Sequence, residues 1–181
     1  MKTFQEWVIL EKKGGKHSYS CVLAKFNQPE AQAVLNWSKK YIKDEDLYIG
    51  EDGGMGREDE IHVTALYGLH TNNAEPVEKI LKNVKPFKLT LGKISKFNNP
   101  DFDVIKFEVE SRELHRVNRM LKSLDFTSKF KDYVPHCTVA YVKKGTCDKL
   151  VGNTSLQGKI IFVNSLTFSP SEGNKKTISL T

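Results

Sequence analysis

Two short segments, Ile61-His62-Val63-Thr64 and Pro135-His136-Cys137-Thr138, constrain this chain more than any other feature in it. Each sets a histidine and a threonine two residues apart in a run of strand-forming residues. A strand turns successive side chains to opposite faces. His62 and Thr64 therefore share one face, and so do His136 and Thr138. Val63 and Cys137 point the other way, where a small apolar side chain suits a core, so Cys137 reads as packing rather than chemistry. A single His-x-Thr arises often by chance. Two copies in corresponding strands of two matching units are much harder to obtain by accident.

The units come from the pattern of the chain. A strand is expected over 17–26, after the turn at Gly14 and Gly15. A helix follows over 27–42, with Pro29 in its first turn and Val34, Leu35, Ser38, Tyr41 and Ile42 on one face. Residues 44–60 are acidic and glycine-rich and read as a long loop. Then come a strand at 61–67, a helix at 74–83 and strands at 87–97 and 102–110 around an Asn98-Asn99-Pro100-Asp101 turn. Ser111 caps the clearest helix, 111–125, where Leu114, Val117, Leu121 and Leu124 repeat at helical spacing. Strands are expected at 134–142, 159–168 and 175–180, with a helical turn or two at 146–152. The order helix, strand, helix, strand, strand thus runs from Pro29 to Glu110 and again from Ser111 to Thr181, with a His-x-Thr on the first strand of each copy. A duplicated α+β unit with two antiparallel sheets is the economical reading.

The pairing has a chemical reason. Histidine, with an unperturbed pKa of about 6.5, gives or takes a proton near neutral pH. A phosphodiester needs one group to deprotonate the attacking hydroxyl or water and another to protonate the leaving oxygen. Two histidines in one cleft do both, and two threonine hydroxyls can donate to the non-bridging oxygens. The net charge of +6 favours anionic partners such as nucleotides or RNA. Its lysines are spread along the chain, which argues against a dedicated duplex-binding element. Three cysteines, Cys21, Cys137 and Cys147, with no C-x-x-C pair, argue against a disulfide framework or a zinc site. No apolar run approaches the roughly 18 residues of a membrane span, and the first ten residues are not a signal peptide. The expectation is one two-lobed domain over 1–181, cytoplasmic (in the host cytoplasm if phage-encoded), with a monomer favoured.

The two motifs and their flanks, Ile61-His62-Val63-Thr64-Ala65-Leu66-Tyr67-Gly68 and Pro135-His136-Cys137-Thr138-Val139-Ala140-Tyr141, resemble the 2H phosphoesterase superfamily. The resemblance is sharp at these strands and extends over most of the chain through the order of elements. It implies a bilobal α+β fold with pseudo-two-fold symmetry around a central cleft. It also implies a phosphodiesterase that uses neither metal nor cofactor, with His62, Thr64, His136 and Thr138 as its catalytic residues. The family includes proteins described as 2′-5′ RNA ligases, 2′,3′-cyclic phosphodiesterases, 2′-5′ oligoadenylate phosphodiesterases and phage anti-CBASS phosphodiesterases. Length and the His17-Ser18-Tyr19-Ser20 segment look most like the phage group. That likeness implies cleavage of cyclic oligonucleotide signalling molecules. Processing of RNA ends or 2′,3′-cyclic phosphates is the alternative within this chemistry, and a nucleotide-binding module without turnover is the alternative outside it.

Other residues carry weaker signals. Tyr19 is suited to stacking on a base, as an N-terminal aromatic does in the phage group. Phe168 is a second substrate-binding candidate, closing the cleft from the last sheet, with core packing as its favoured role. Tyr67 and Tyr141 stand at an odd offset from their histidines, which turns them away from the cleft and into the core if the strands stay regular. Gly53-Gly54-Met55-Gly56 is suited to a flap over the site and is no Walker loop. His70 is expected near the cleft rim and His115 at the surface. Lys106, Arg116 and Arg119 are phosphate-contact candidates that nothing separates from ordinary surface charge.

Overall fold

The computed structural model describes residues 19–51, 53–128, 130 and 132–181. The turn at Gly14 and Gly15, His17 and the first two residues of the expected 17–26 strand lie outside the described residues. In chain order the elements are β1 Ser20–Lys25, α1 Gln28–Tyr41, β2 His62–Leu69, α2 Glu75–Leu81, β3 Phe87–Asn98 and β4 Phe102–Glu110. They continue with α3 Arg112–Leu121, β5 His136–Lys143, β6 Ile160–Val163, β7 Ser165–Ser169 and β8 Lys176–Ser179. Short 3₁₀ turns stand at Asp44–Asp46 and Asp148–Leu150.

The strands form two four-stranded antiparallel sheets. One has the order β2-β1-β7-β8 and the other β5-β4-β3-β6. Both motif strands, β2 and β5, stand at the end of their sheet, and they touch each other. The repeat is therefore a strand, a helix and a motif strand: β1-α1-β2 and β4-α3-β5. Its phase differs from the sequence reading, which begins each copy on the helix. The pairing of β2 with β1 and of β5 with β4 is a long-range choice that element order does not encode.

The expected single strand at 159–168 is two strands. Residues of β6 pair with β3, while β7 pairs with β1 in the other sheet, the chain changing sheets at Asn164, whose carbonyl accepts from Leu180 N. The helices cross over in the same way. The helix of the first unit, α1, packs on β5, and α3 packs on β2. Trp37 of α1 meets Phe107 of β4 edge-on at 5.2 Å, and its indole donates to Ser155 Oγ at 2.7 Å. Helix α3 buries Leu114, Val117, Asn118 and Leu121 and is capped by Ser111, whose Oγ accepts from Leu114 N. One continuous core joins both sheets and the helices.

The loops that lead into the motif strands are exchanged as well. Residues 47–48 and 56–58, which precede β2, run along the outer edge of β5: Tyr48 N donates to Tyr141 O, Tyr141 N to Gly56 O and Glu58 N to Val139 O. Residues 125–127, which precede β5, run along β2: Thr127 N donates to Gly68 O and His70 N to Asp125 O. The edge of each motif strand is thus covered beyond its His-x-Thr, which leaves fewer backbone groups open to pairing with another chain. Gly68 makes the close approach possible. Its φ is +104°, and a Cβ there would stand 2.0 Å from Thr127 O. Among the described residues, no helix is long and apolar enough to cross a membrane.

Candidate functional site

The two motif strands share a local device. In β2, Leu23 pairs with Thr64 and Val22 with Leu66, so Ala65 is an extra residue. In β5, Lys106 pairs with Thr138 and Ile105 with Ala140, so Val139 is the extra residue. Both strands therefore bulge one residue after the motif threonine. A bulge bends its strand and re-aims the side chains around it. The displaced carbonyls find donors by different routes. Asn118 Nδ2 donates to Ala65 O at 2.7 Å, and Glu58 N donates to Val139 O at 2.9 Å. The Tyr133 hydroxyl donates to Thr64 O at 2.8 Å, and burial pushes this phenol's pKa up.

Before the bulge the alternation holds. His62, Thr64, His136 and Thr138 are half-buried, while Val63, Ala65, Cys137 and Val139 are fully buried. Burial, together with the charge of Glu58, pushes the Cys137 thiol up, which keeps it a core residue without nucleophilic character. After the bulge the alternation is reversed. Tyr67 comes to the same face as His62 and Thr64, contrary to the expectation for a regular strand, and is half-buried. Tyr141 makes the same change on β5. It is covered by a small apolar cluster with Met55, Phe102 and Val104, against which Tyr48 and Phe97 pack. The glycine-rich segment is thus pinned beside the site as the lid of this cluster, with Met55 buried and held at a positive φ, and is not a free flap.

Each histidine is held by its own chain two residues upstream. His62 Nδ1 donates to Glu60 O at 2.5 Å, and His136 Nδ1 donates to Val134 O at 2.9 Å. A carbonyl only accepts, so Nδ1 carries the hydrogen and Nε2 is left as the proton-exchanging nitrogen of both rings. This matched arrangement, with each ring on an edge strand that touches the other, is the core of the site. Burial lowers the pKa of His136 to about 4 against the opposing pull of the Val134 carbonyl, and the charges of Lys106 and His62 press it further down.

Charged groups surround the pair unequally. Lys25 stands across from His62 in the ladder. Glu60 accepts from Lys25 Nζ at 2.5 Å and from Lys175 Nζ at 2.6 Å. Partial burial opposes the Glu60 carboxylate, but the hydrogen bonds from Lys175 and Lys25 and their charges outweigh it and hold the pKa at about 2. On the other side, Lys106 is only 5% exposed. Its Nζ donates to Ser95 Oγ at 2.7 Å and lies 4.2 Å from the centre of the Phe97 ring, which meets His136 edge-on at 4.9 Å. Sequence reasoning names Lys106 without separating it from surface charge. The missing signal is its place opposite Thr138, which only strand register reveals.

Two expected binding residues lie elsewhere. Phe168 is 1% exposed and sits in the core. It pairs with Val22 on the buried face of β1, so it closes no cleft, and its neighbours Thr167 and Ser169 take the opposite face. Tyr19 stands just before β1, where Ser20 pairs with Leu69. About 23 Å of strand separates that end of β2 from His62 at roughly 3.3 Å per residue. There Tyr19 stacks on His70 at 5.1 Å and meets Tyr67 edge-on at 6.3 Å. His70 is held at the same end by Thr127 and Asp125 and does not reach the histidine pair. His115 packs edge-on against Tyr133.

Known proteins share this arrangement of elements. TT0787 of Thermus thermophilus superposes with a TM-score of 0.62 at 15% identity, covering 90% of this chain and 97% of that one. Usb1 of Kluyveromyces marxianus, solved with uridine monophosphate, gives 0.57 at 12% identity over 90% and 98%. LigT of E. coli, solved with 3′-AMP, gives 0.56 at 15% over 90% and 95%. At these identities the likeness is one of fold. No protein of curated function matches the sequence. The model of the 2′-5′ RNA ligase superfamily matches residues 52–157, a span that contains both His-x-Thr motifs and more than half of the chain. The chain belongs to the 2′-5′ RNA ligase superfamily, a group of 2H phosphoesterases.

Proposed function

We propose that this phosphodiesterase cleaves a nucleotidic phosphodiester by general acid–base catalysis, with His136 as the base and His62 as the acid. The observation that carries the reading is the matched pair of Nδ1-to-carbonyl hydrogen bonds on two touching edge strands. It fixes both tautomers and leaves two Nε2 atoms free for proton transfer. The assignment of roles rests on the environment. His136, half-buried beside Lys106 and with its pKa held low, is neutral at pH 7 and ready to accept a proton.

In the step proposed, His136 Nε2 takes the proton of a ribose 2′-hydroxyl as that oxygen bonds to phosphorus. The bond from phosphorus to the leaving oxygen breaks, and His62 Nε2–H protonates that oxygen. The products are a 2′,3′-cyclic phosphate and a free hydroxyl; water as nucleophile gives a phosphomonoester instead. The two rings then exchange protons with solvent. Thr64 and Thr138, each two residues from its histidine on the same face, donate to the non-bridging oxygens.

The substrate class we favour is a cyclic oligonucleotide signalling molecule, acted on in the cytoplasm. Lys25 and Lys175 are both engaged by Glu60, which favours a compact anion over a long RNA tracked along an open basic groove. Processing of RNA ends is the second reading. It is supported by the likeness of fold to Usb1 solved with uridine monophosphate. Tyr19 is retained only for a base remote from the scissile bond, in a substrate that spans the sheet.

The test is incubation in chelator with cyclic dinucleotides and trinucleotides, 2′-5′ and 3′-5′ oligoadenylates, 2′,3′-cyclic nucleotides and short RNA ends. A His62→Ala/His136→Ala double variant is the control. Cleavage of one class by the parent alone is the expected result. Activity that vanishes in chelator, or that survives in the double variant, refutes the two-histidine mechanism. Intact substrates throughout, with nucleotide binding that survives loss of both histidines, would leave a binding module.

A further inference from the structure

Lys106 presents a physical anomaly. A lysine this deeply buried is normally paired with an acid, because an ammonium is strongly disfavoured away from water without a counter-charge. Among the described residues Lys106 makes no ion pair. Its Nζ has one hydrogen-bond acceptor, the neutral hydroxyl of Ser95, and one aromatic face, that of Phe97. An ammonium has three N–H donors. Two of them have no protein acceptor among the described residues. Glu108 favours the charged form through its field alone, and burial outweighs it, lowering the lysine's pKa. A residue that needed only to fill this space would do so better as methionine.

The position of the anomaly gives its meaning. Lys106 pairs with Thr138, and Glu108 with His136, so both lie on the site face of β4. The Phe97 ring bridges the ammonium and the His136 ring. The cation therefore sits on the His136 side of the site, beside the threonine of that motif. Its counterpart near His62, Lys25, is neutralised by Glu60; Lys106 is not.

We propose that Lys106 is a phosphate-binding residue, which holds a non-bridging phosphate oxygen beside Thr138 so that the substrate supplies the counter-charge the protein itself withholds. The proposal rests on the reading of His62 and His136 as a phosphodiester-cleaving pair, and deepens it by making the two halves of the site unequal. The first half carries a lysine already paired. The second carries a cation that stays unpaired until an anion enters. Because the ammonium is fixed by Ser95 and Phe97 before binding, the contact needs little ordering of the side chain.

The test uses Lys106→Met, which keeps the buried volume and removes the charge, with Lys106→Gln as a second variant that still donates to Ser95. The probe is inorganic phosphate, read by melting temperature and by titration. The parent is expected to rise in melting temperature with phosphate. Lys106→Met is expected to melt at the same temperature or higher without phosphate, since an unpaired buried charge has gone. Its phosphate affinity is expected to fall at least about tenfold, in line with loss of a charge-assisted hydrogen bond. With the substrate identified by the panel, kcat/KM falls by a similar factor or more.

A variant that melts lower without phosphate yet keeps the parent's response to it makes Lys106 a structural residue and overturns the proposal. So does a parent with no phosphate response. Two further outcomes separate this proposal from the reading beneath it. A parent that cleaves a substrate which both variants cleave equally well keeps the phosphodiesterase and loses the Lys106 site. A parent that binds phosphate through Lys106 but cleaves nothing keeps the site and loses the phosphodiesterase.

Discussion

Asn118→Leu tests the most specific structural link between a helix and the site. Asn118 is 3% exposed on α3, and its amide donates at 2.7 Å to the carbonyl of Ala65, the extra residue of the bulge. Leucine matches asparagine in branching and in number of heavy atoms, so the change removes a donor without opening a cavity. The Ala65 carbonyl is then left buried without its partner, which costs about 1–3 kcal/mol. In a chain of this length each kcal/mol moves the melting temperature by about 2–4 °C, so a fall of roughly 2–12 °C is expected. The effect on turnover is expected to be larger in proportion. Ala65 directly follows Thr64, and a misplacement of about 1 Å can reduce a rate roughly 10²-fold. The fall belongs in kcat more than in KM, because the phosphate-binding groups on β4 and β5 are untouched. Asn118→Asp sharpens the test. At neutral pH it turns a carboxylate toward a carbonyl oxygen and is expected to be worse than leucine. Acidification, which restores a donor, recovers part of the loss. Thermal denaturation and steady-state kinetics of both variants read this directly. A leucine variant with the parent's melting temperature and kcat would refute the role given to the bulge. So would an aspartate variant more stable than the leucine one at pH 7.

Other perturbations follow from the same geometry. The pKa of His136 is lower in the folded chain than in the unfolded one. The stability it contributes is therefore fully present above about pH 6.5 and is lost as pH falls toward about 4; a His136→Gln variant should show a flatter decline in melting temperature across that window, and an equal decline would contradict the lowered pKa. Phe168→Ala should lose about 3–5 kcal/mol as a core truncation while the protein that remains folded keeps the parent's KM; a rise in KM with unchanged stability would restore the binding role the structure denies it. Gly68→Ala forces a side chain into a positive φ and against Thr127 O, and should cost more than about 3 kcal/mol, read as poor expression or a sharply lower melting temperature.

The site is legible in the sequence because strand periodicity is local. Alternation alone places His62 with Thr64 and His136 with Thr138, and the repetition of the motif marks them as a pair. Ser111 as a cap, the stripe of α3 and Cys137 as a core residue follow from equally local rules. Where local rules meet a long-range decision they fail. Local rules leave Phe168 between closing the cleft and packing in the core, with core packing favoured, and the structure gives it the core. The break at Asn164, which sends β6 and β7 to different sheets, and the pairing of Phe168 with Val22 are properties of the sheets. Tyr67 and Tyr141 are both expected in the core; Tyr141 is buried in one, while the bulge, which exists only relative to a partner strand, leaves Tyr67 half-buried on the motif face. Tyr19 is expected near a base at the site, but its distance from His62 is set by the antiparallel register of β1 and β2. Lys106 looks like surface charge because nothing in its neighbours along the chain tells of burial. What the sequence determined by itself is the chemistry available: two histidines and two threonines on two strand faces. What tertiary structure decided is which strands became neighbours, and hence that a buried cation without an ion-pair partner among the described residues stands on the His136 side, since strand pairing and burial join residues that lie far apart along the chain.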